Sequence, residues 1–216
     1  MFLSMSQSKQ LTNKRHFFAK CLGAACAIVL SVNVFAAKVE QAAPDFSLVN
    51  SMGETVSLSD FAGKYVVLEW TNHQCPYVVK HYGSGNMQTL QKDYQEQDVV
   101  WLSIISSAPG KQGYVSAEEA NALTDSRNAS PSHVLFDPEG TVGKAYAAKT
   151  TPHMYIIDPA GDLRYAGAID SIKSTNPADI PKSINYVVAG MTSLESGNSP
   201  EDAMTVPYGC SIKYKS

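Results

Sequence analysis

The sequence predicts an α/β domain in which a mixed central sheet carries helices on both faces. Two compact apolar runs, at 65–70 and 98–105, have the length and composition of strands that are buried on both sides. Helical patterns alternate with strands in the first half of the chain, as in a parallel arrangement. A hairpin and a final helix follow, and the antiparallel strands of the hairpin make the sheet mixed.

The elements follow in order along the chain. A helix is expected from Pro76 to about Gln97, with an interruption at 83–85, where Gly-Ser-Gly occurs. A second helix over 116–127 opens with a capping box. The other expected elements are an alternating segment at 55–58, a turn or short helix at 59–64, a strand at 133–136, a short helix at 138–148, a hairpin with strands 154–158 and 163–169, and a last helix at 177–191.

The N-terminal 36 residues are expected to be a secretory signal peptide. Four basic residues precede an apolar run over 21–34. Val34-Phe35-Ala36 then has a small residue at each of the two positions that a signal peptidase recognises. The run is short for a membrane span, although an uncleaved anchor is the alternative. We therefore expect a periplasmic or secreted protein that has no membrane attachment after cleavage, with a domain at 37–191 and a tail at 192–216.

The charge and cysteine content narrow the possible functions. The 216 residues carry a formal charge of −3, and residues 37–216 retain 13 Lys and Arg against 20 Asp and Glu, a charge of −7. This acidic balance does not support a nucleic-acid partner. Residues 37–216 contain two cysteines, Cys75 and Cys210. In an oxidising compartment, such a pair indicates either one structural disulfide or one redox pair.

Cys75 lies in the turn after the first buried strand, at the edge of the sheet where sites of α/β proteins occur. Pro76 suits the first position of a helix, because its missing N–H would have no partner there. Cys75 would then face free backbone N–H groups and the positive end of the helix dipole, which lower the pKa of a thiol. Lys80 and His81 are expected to add positive charge. A buried, inert cysteine is the alternative.

This strand–turn–Cys–Pro–helix arrangement resembles the thioredoxin-like superfamily, in its redoxin or peroxiredoxin-like (AhpC/TSA-type) branch. Ala43-Pro44-Asp45-Phe46, the Gly-Lys turn at 63–64 and the segment 151–158 match that branch as well, and the resemblance covers about 43–191. It implies a thioredoxin-like fold with a C-terminal extension, and a cis Thr151–Pro152 bond beside Cys75. It also implies a thiol-based oxidoreductase that acts on a peroxide or on a protein or small-molecule disulfide. An external thiol would serve as the reductant, without a bound cofactor.

The chain departs from the family patterns in ways that leave the substrate open. The usual Cys-x-x-Cys pair ends in Val78, so the local partner of Cys75 is missing. Peroxiredoxins carry Thr or Ser where this chain has Asn72, and they use an arginine near the position of Pro152. After residue 36 the arginines are Arg127 and Arg164, and we expect Arg164 to face solvent. Peroxide reduction and thiol–disulfide exchange therefore both remain possible.

Cys210 is the candidate partner of Cys75. It lies 135 positions further along, in an aromatic tail that Pro207 and Tyr208 are expected to anchor. The hypothesis is that Cys75 attacks the substrate as a thiolate and that the tail folds back so that Cys210 displaces the product. A permanent disulfide that stabilises the fold by roughly 5 kcal/mol is the alternative, and intermolecular pairing is another.

Glu69 and a set of flanking residues complete the candidate site. Glu69 lies in an apolar strand, six residues before Cys75, where thioredoxin-like proteins often place a buried acid. Burial would raise its pKa and suit it to proton transfer with a leaving thiol, whereas a solvent-facing glutamate is the alternative. The candidate substrate-binding residues flank the cysteine turn and the proline motif: Thr71, Asn72, His73, Pro76, Thr151, Pro152 and His153.

Two other functions stay open at the level of sequence. His73 and His153 with the cysteines could hold copper or zinc as a carrier would, although the close cysteine pair of such carriers is absent and we assign no metal site. A non-catalytic binding module with a thioredoxin-like groove and a structural disulfide is the second.

Overall fold

The computed structural model describes residues 36–215, so residues 1–35 of the expected signal peptide lie outside the described part. None of the helices within 36–215 is long and apolar enough to cross a membrane. The strands are β1 (Gln41–Ala42), β2 (Ser47–Asn50), β3 (Thr55–Ser57), β4 (Val66–Trp70), β5 (Val100–Ile105), β6 (His133–Phe136), β7 (Thr150–Thr151), β8 (His153–Ile157), β9 (Asp162–Gly167) and β10 (Cys210–Ser211). The helices are α1 (Pro76–Gly83), α2 (Asn86–Gln95), α3 (Ala117–Ser126), α4 (Thr141–Ala145) and α5 (Tyr186–Glu195), with 3-10 helices at Leu58–Phe61 and Pro177–Lys182.

Eight strands form one mixed sheet in the order β1-β9-β8-β4-β5-β6-β2-β3. The neighbours β4, β5 and β6 run parallel, and the other pairs in the sheet are antiparallel. Every residue of β4 and β5 is buried, as the two apolar runs predict. The predicted fold class, a thioredoxin-like α/β fold with a mixed sheet, is therefore confirmed.

Side chains of alternate residues in β4 enter two different cores, one on each face of the sheet. Val67 packs in a core that includes Cys75 and residues of α1, α2 and α5. Leu68 and Trp70 pack in the opposite core, which includes Val142 of α4. Helices thus cover both faces, and the β4–α1 turn lies over the first of these cores.

The break in the long helical pattern occurs where the glycines predict it. Helix α1 ends at Gly83 and α2 begins at Asn86, with Gly85 between them at a φ of +78°. That backbone angle is accessible to glycine at little cost, which lets the chain change direction there. The capping box of α3 is present as well, with Ser116 accepting from the Glu119 N–H.

The last helix differs from the prediction. Residues 177–182 form a 3-10 helix, and α5 begins only at Tyr186. Pro181 interrupts the earlier segment because it has no N–H to donate within an α-helix. Asn185 then caps α5, since its side chain accepts from the Val187 and Val188 N–H groups.

The C-terminal tail packs closely on the domain through small residues. Strand β10 pairs antiparallel with β7 in a separate two-stranded sheet, which the sequence pattern did not predict. A side chain on Gly167 would overlap Thr205, and one on Gly143 would overlap Tyr214. The tail therefore lies in space that these glycines leave open, on either side of Cys210.

Candidate active site

Cys75 occupies the N-cap of α1, immediately after the turn that follows β4. Its N–H donates to the Asn72 carbonyl at 3.0 Å, and its own carbonyl accepts from the Val79 N–H at 2.9 Å. Pro76 is the first residue of the helix, as predicted. The Cys75 side chain has no solvent exposure, and its Sγ donates to the Thr151 carbonyl at 3.0 Å. The Thr151–Pro152 bond is cis and lies beside Cys75, as the resemblance implied.

Strand β10 brings Cys210 to the same place. Cys210 is the register partner of Thr151 in the β7–β10 pair, and it packs against the core that contains Cys75. The two thiols are close enough to form a hydrogen bond, and both are free in the structure. Cys210 is half-buried, whereas Cys75 is fully buried beneath it.

The two thiols differ in acidity. Burial acts to raise the pKa of Cys75, but hydrogen bonds, of which the one from the Cys210 thiol has the largest effect, outweigh it, so the pKa falls below the ordinary value. Burial and the hydrogen bond with Cys75 raise the pKa of Cys210 to about 11. Cys75 is therefore the more acidic of the two thiols and is the one that deprotonates first.

A buried ionic cluster holds the tail just before Cys210. The Tyr208 hydroxyl donates to Asp170 Oδ1, and the Tyr208 ring lies edge-on to Tyr77 with centroids 5.5 Å apart. Lys80 Nζ donates to Asp170 Oδ2 at 2.9 Å, with both side chains almost entirely buried. We call Lys80, Asp170 and Tyr208 the tail anchor. It confirms Tyr208 as an anchoring residue.

The expectation that Lys80 and His81 add positive charge at Cys75 is wrong. The charge of Lys80 is paired with Asp170 inside the tail anchor. Burial and the nearby Lys80 lower the pKa of His81 to about 4 against the influence of Asp170, so this histidine is neutral at pH 7. The depressed pKa of Cys75 comes from hydrogen bonds instead.

Glu69 is fully buried, which excludes the solvent-facing alternative. Its Oε2 accepts from Trp101 Nε1 at 2.9 Å and from Ser103 Oγ at 3.1 Å. The Tyr82 hydroxyl donates to both carboxylate oxygens at 3.0 and 3.1 Å. Burial raises the pKa of Glu69, and the hydrogen bonds from Trp101, Tyr82 and Ser103 offset only part of that rise. Glu69 thus lies below the cysteine turn, in the core that Cys75 also enters.

The residues between Glu69 and Cys75 shape the turn. Asn72 accepts from the Gln74 N–H at 2.9 Å through its side chain and so fixes the turn that precedes the helix. Thr71 and His73 line a cavity of about 40 Å³ together with Arg127, large enough for a water molecule. Burial and the charge of Arg127 lower the pKa of His73. The cavity lies beside the turn and contains neither cysteine among its lining residues.

The remaining candidate residues, Thr151 and His153, divide between the two faces of the central sheet. Thr151 contacts both cysteines, as described above. The His153 ring instead contacts Tyr155 Oη at 3.1 Å and the Lys149 N–H at 3.3 Å, and burial with the nearby Lys149 lowers its pKa to about 3. His153 therefore packs with the aromatic residues of the opposite core.

The contacts of both arginines are with groups other than the thiols, and the nearest to the cysteine turn is from Arg127 Nη2 to the His73 carbonyl at 3.5 Å. Arg164 was expected to face solvent, but its side chain is 20% exposed and pairs with Asp158 at 2.9 Å and Glu40 at 3.3 Å. That expectation is wrong because the β9 register places Arg164 beside two carboxylates. Arg127 lies over the Tyr82 ring at 5.0 Å. Within residues 36–215, no group of three or more His, Cys, Asp or Glu side chains is arranged to hold a metal ion.

Several contributing residues were not identified from the sequence. Asp170 had no pattern that could mark it, since its role depends on contacts with α1 and the tail. Gly209 carried a weak signal as a glycine next to Cys210. A side chain there would overlap the Thr151 carbonyl, so only glycine lets the tail backbone lie directly on β7.

Comparisons with known proteins agree with this architecture. A hypothetical protein from Sinorhizobium meliloti 1021 is 22% identical, with a TM-score of 0.70 over 84% of this chain and 97% of that one. An uncharacterized conserved protein from Geobacillus kaustophilus is 26% identical, with a TM-score of 0.72 over 82% of this chain and 93% of that one. No curated protein matches the sequence.

The family model of the AhpC/TSA family matches residues 39–166. The match covers more than half of the chain and contains Glu69, Cys75 and Thr151, but it ends before the tail that carries Cys210. The family supports an oxidoreductase activity in general terms. The chain belongs to the AhpC/TSA family, within the thioredoxin-like superfamily.

Proposed function

We propose that the protein is an exported thiol–disulfide oxidoreductase whose redox centre is the pair Cys75 and Cys210. One observation carries the proposal: Thr151 accepts a hydrogen bond from Cys75 and is the register partner of Cys210, so that the two thiols meet at β7. The tail thereby supplies the second cysteine that is missing at Val78. A periplasmic or secreted location follows from the N-terminal sequence pattern.

The pair alternates between two thiols and one disulfide. Forming the Cys75–Cys210 bond releases two electrons and two protons to a disulfide substrate or oxidant, and an external thiol reverses the reaction. The lowered pKa of Cys75 favours its thiolate, which is the reactive form in exchange. The tail anchor holds Cys210 at a high effective concentration, which favours an intramolecular disulfide over a mixed one.

Glu69 is proposed to hold a proton for this exchange. Because its pKa is raised, the Glu69 carboxyl keeps its proton to a higher pH than an exposed glutamate does. Glu69→Gln keeps the size of the side chain and removes the titration. We expect this variant to flatten the pH dependence of the exchange rate above the ordinary pKa of a glutamate. An unchanged profile would assign Glu69 to packing and hydrogen bonding alone.

A catalytic assay tests the proposed function. The full chain carrying Cys21→Ser and Cys26→Ser serves as the reference, because it keeps only the two proposed redox cysteines. The assay follows oxidation of a peptide dithiol by glutathione disulfide, with and without the protein. We expect Cys75→Ser and Cys210→Ser, each added to the reference, to lose at least tenfold of the catalysed rate. Full activity in either variant would contradict a two-cysteine centre.

Peroxide reduction is the second candidate, and the family match is the observation that favours it. It has less support because Cys75 is completely buried and because Arg164 and Arg127 contact Asp158 and the Tyr82 ring instead of a thiol. Hydrogen peroxide consumption by the reduced reference protein separates the two functions. A rate well above that of a free thiol, lost in Cys75→Ser, would favour the peroxidase. A disulfide that resists mild thiol reductants would instead indicate a structural bond in a binding module.

A further inference from the structure

We propose that external thiols open the oxidised pair at the Cys210 sulfur and that Cys75 is the leaving group. This inference rests on the proposed function and reverses the order that the sequence indicated, in which Cys75 meets the substrate first. It assigns the entry position to a residue of the tail, outside the part of the chain that the family model matches.

Access to the two sulfurs is the first argument. The Cys75 side chain is completely buried, and its neighbours in the core include Val78 and Tyr208. A thiolate displaces sulfur in line with the breaking S–S bond, so attack on Cys75 would have to come from the side opposite Cys210. That side is the core. Cys210 is half-buried near the end of the chain, beside the exposed Ser211, and an external thiolate can approach it without unfolding the turn.

The hydrogen bonds at Cys75 give the second argument. Exchange is faster when the departing sulfur is the more stable thiolate. A hydrogen bond from the Val78 backbone lowers the pKa of Cys75, whereas the pKa of Cys210 is raised to about 11. Attack at Cys210 therefore releases the stabilised thiolate. Attack at Cys75 would release the less stable one.

The steps balance as follows. A substrate thiolate attacks the Cys210 sulfur, the Cys75–Cys210 bond breaks, and Cys75 leaves with the electron pair as a thiolate. A second substrate thiolate attacks the substrate sulfur of this mixed disulfide, and Cys210 leaves and takes a proton from solvent. Two substrate thiols are oxidised to one disulfide, and the pair is reduced by two electrons. A small disulfide oxidant such as glutathione disulfide restores the pair.

In this sequence of steps two thiols enter and one disulfide leaves. The substrate class that we infer is a protein or peptide carrying two thiols that become linked.

Trapping the mixed disulfide tests the inference. The oxidised reference protein with Cys21→Ser and Cys26→Ser is mixed with glutathione, quenched with acid within milliseconds to seconds, alkylated and mapped by peptide mass spectrometry. We expect glutathione on the Cys210 peptide at least tenfold more often than on the Cys75 peptide. Glutathione that is found equally or mainly on Cys75 at the earliest times would overturn the inference.

A second measurement tests the access argument without a short-lived species. Cys210→Ser keeps a side chain of similar size over Cys75, so alkylation of Cys75 by iodoacetamide reports its exposure. We expect the folded variant to react at least tenfold more slowly than the same variant in denaturant, and equal rates would overturn the inference. If the oxidised protein contains no Cys75–Cys210 bond at all, the proposed function itself fails. If the bond forms and opens at Cys75, only this inference fails.

Discussion

Cys210 lies opposite Thr151 in the antiparallel β7–β10 pair, and the Thr151 carbonyl also accepts the hydrogen bond from Cys75. A single residue beside the cis proline thus positions both cysteines. The two cysteines are 135 positions apart in the chain, so their meeting depends on how the tail is held.

Gly209→Ala should displace the tail from β7. The new methyl group would overlap the Thr151 carbonyl, so the backbone before Cys210 would have to move away. We expect the Cys75–Cys210 disulfide to form at least tenfold more slowly with glutathione disulfide, as measured by non-reducing peptide mapping. Gly197→Ala is the matched control, since Gly197 also has a positive φ but no neighbour within 4 Å. Equal rates in the two variants would show that the close contact does not position Cys210.

Tyr208→Phe removes the hydroxyl that donates to Asp170 in the tail anchor. The lost hydrogen bond to a buried charged group costs about 1.5–3 kcal/mol of tail docking. We expect the equilibrium constant of the disulfide against glutathione to fall roughly tenfold or more, because the effective concentration of Cys210 falls with docking. Tyr77→Phe leaves the anchor intact and should change the constant far less. If the Tyr208→Phe protein had the same equilibrium constant as the reference protein, the tail anchor would not be what positions Cys210.

Lys80→Met should destabilise the whole domain. It leaves Asp170 buried without its ion-pair partner, and breaking a buried pair in this way costs about 3–5 kcal/mol. Urea unfolding of the reduced protein measures the loss. Lys92→Met is the control, because Lys92 pairs with Glu96 on the exposed face of α2 at 4.0 Å and should change stability little. A similar small effect at both positions would contradict the buried charge pair.

His153→Asn should reduce the loss of stability in acid. The folded pKa of His153 is about 3, whereas an unfolded histidine has a pKa of about 6.5. Between these values the unfolded state binds the extra proton, so the free energy of unfolding falls as the pH falls, by up to about 1.4 kcal/mol per unit. Asparagine can still accept from Lys149 N–H but does not titrate.

The measurement for this prediction is the free energy of unfolding of both proteins from pH 7 to 4. His81, whose folded pKa is lowered, also makes the free energy of unfolding fall as the pH falls. Glu69 has the opposite effect because its folded pKa is raised. Both residues are present in both proteins, so the difference between the two curves isolates His153. Parallel curves would mean that His153 is not buried in its neutral form.

The turn at Cys75 could be predicted from the sequence because its determinants are local. A buried strand, a short turn and Pro76 at the start of α1 specify where the cysteine lies without reference to distant residues. The burial of Glu69 was left open, since an apolar strand can present one polar side chain to either face. The partners that decide it, Tyr82 and Trp101, come from α1 and β5.

The rest of the site depends on contacts that no local pattern contains. Lys80 and His81 were assigned to Cys75 because they are close in sequence, but their position on α1 directs them to Asp170. The strand pairing of Cys210 involves only two residues, which is too short to produce a periodic pattern. The hypothesis that the tail folds back came from the shortage of cysteines, and the pairing with Thr151 gives that hypothesis its geometry.

The most direct test of the central claim is to equilibrate the reference protein with glutathione buffers of defined ratio and to identify the oxidised species by non-reducing peptide mapping. We predict one monomeric product in which Cys75 is linked to Cys210, formed reversibly and absent from Cys75→Ser and Cys210→Ser. A product that instead carries glutathione on each cysteine, or a disulfide between two chains, would contradict the claim that the tail supplies the partner of Cys75.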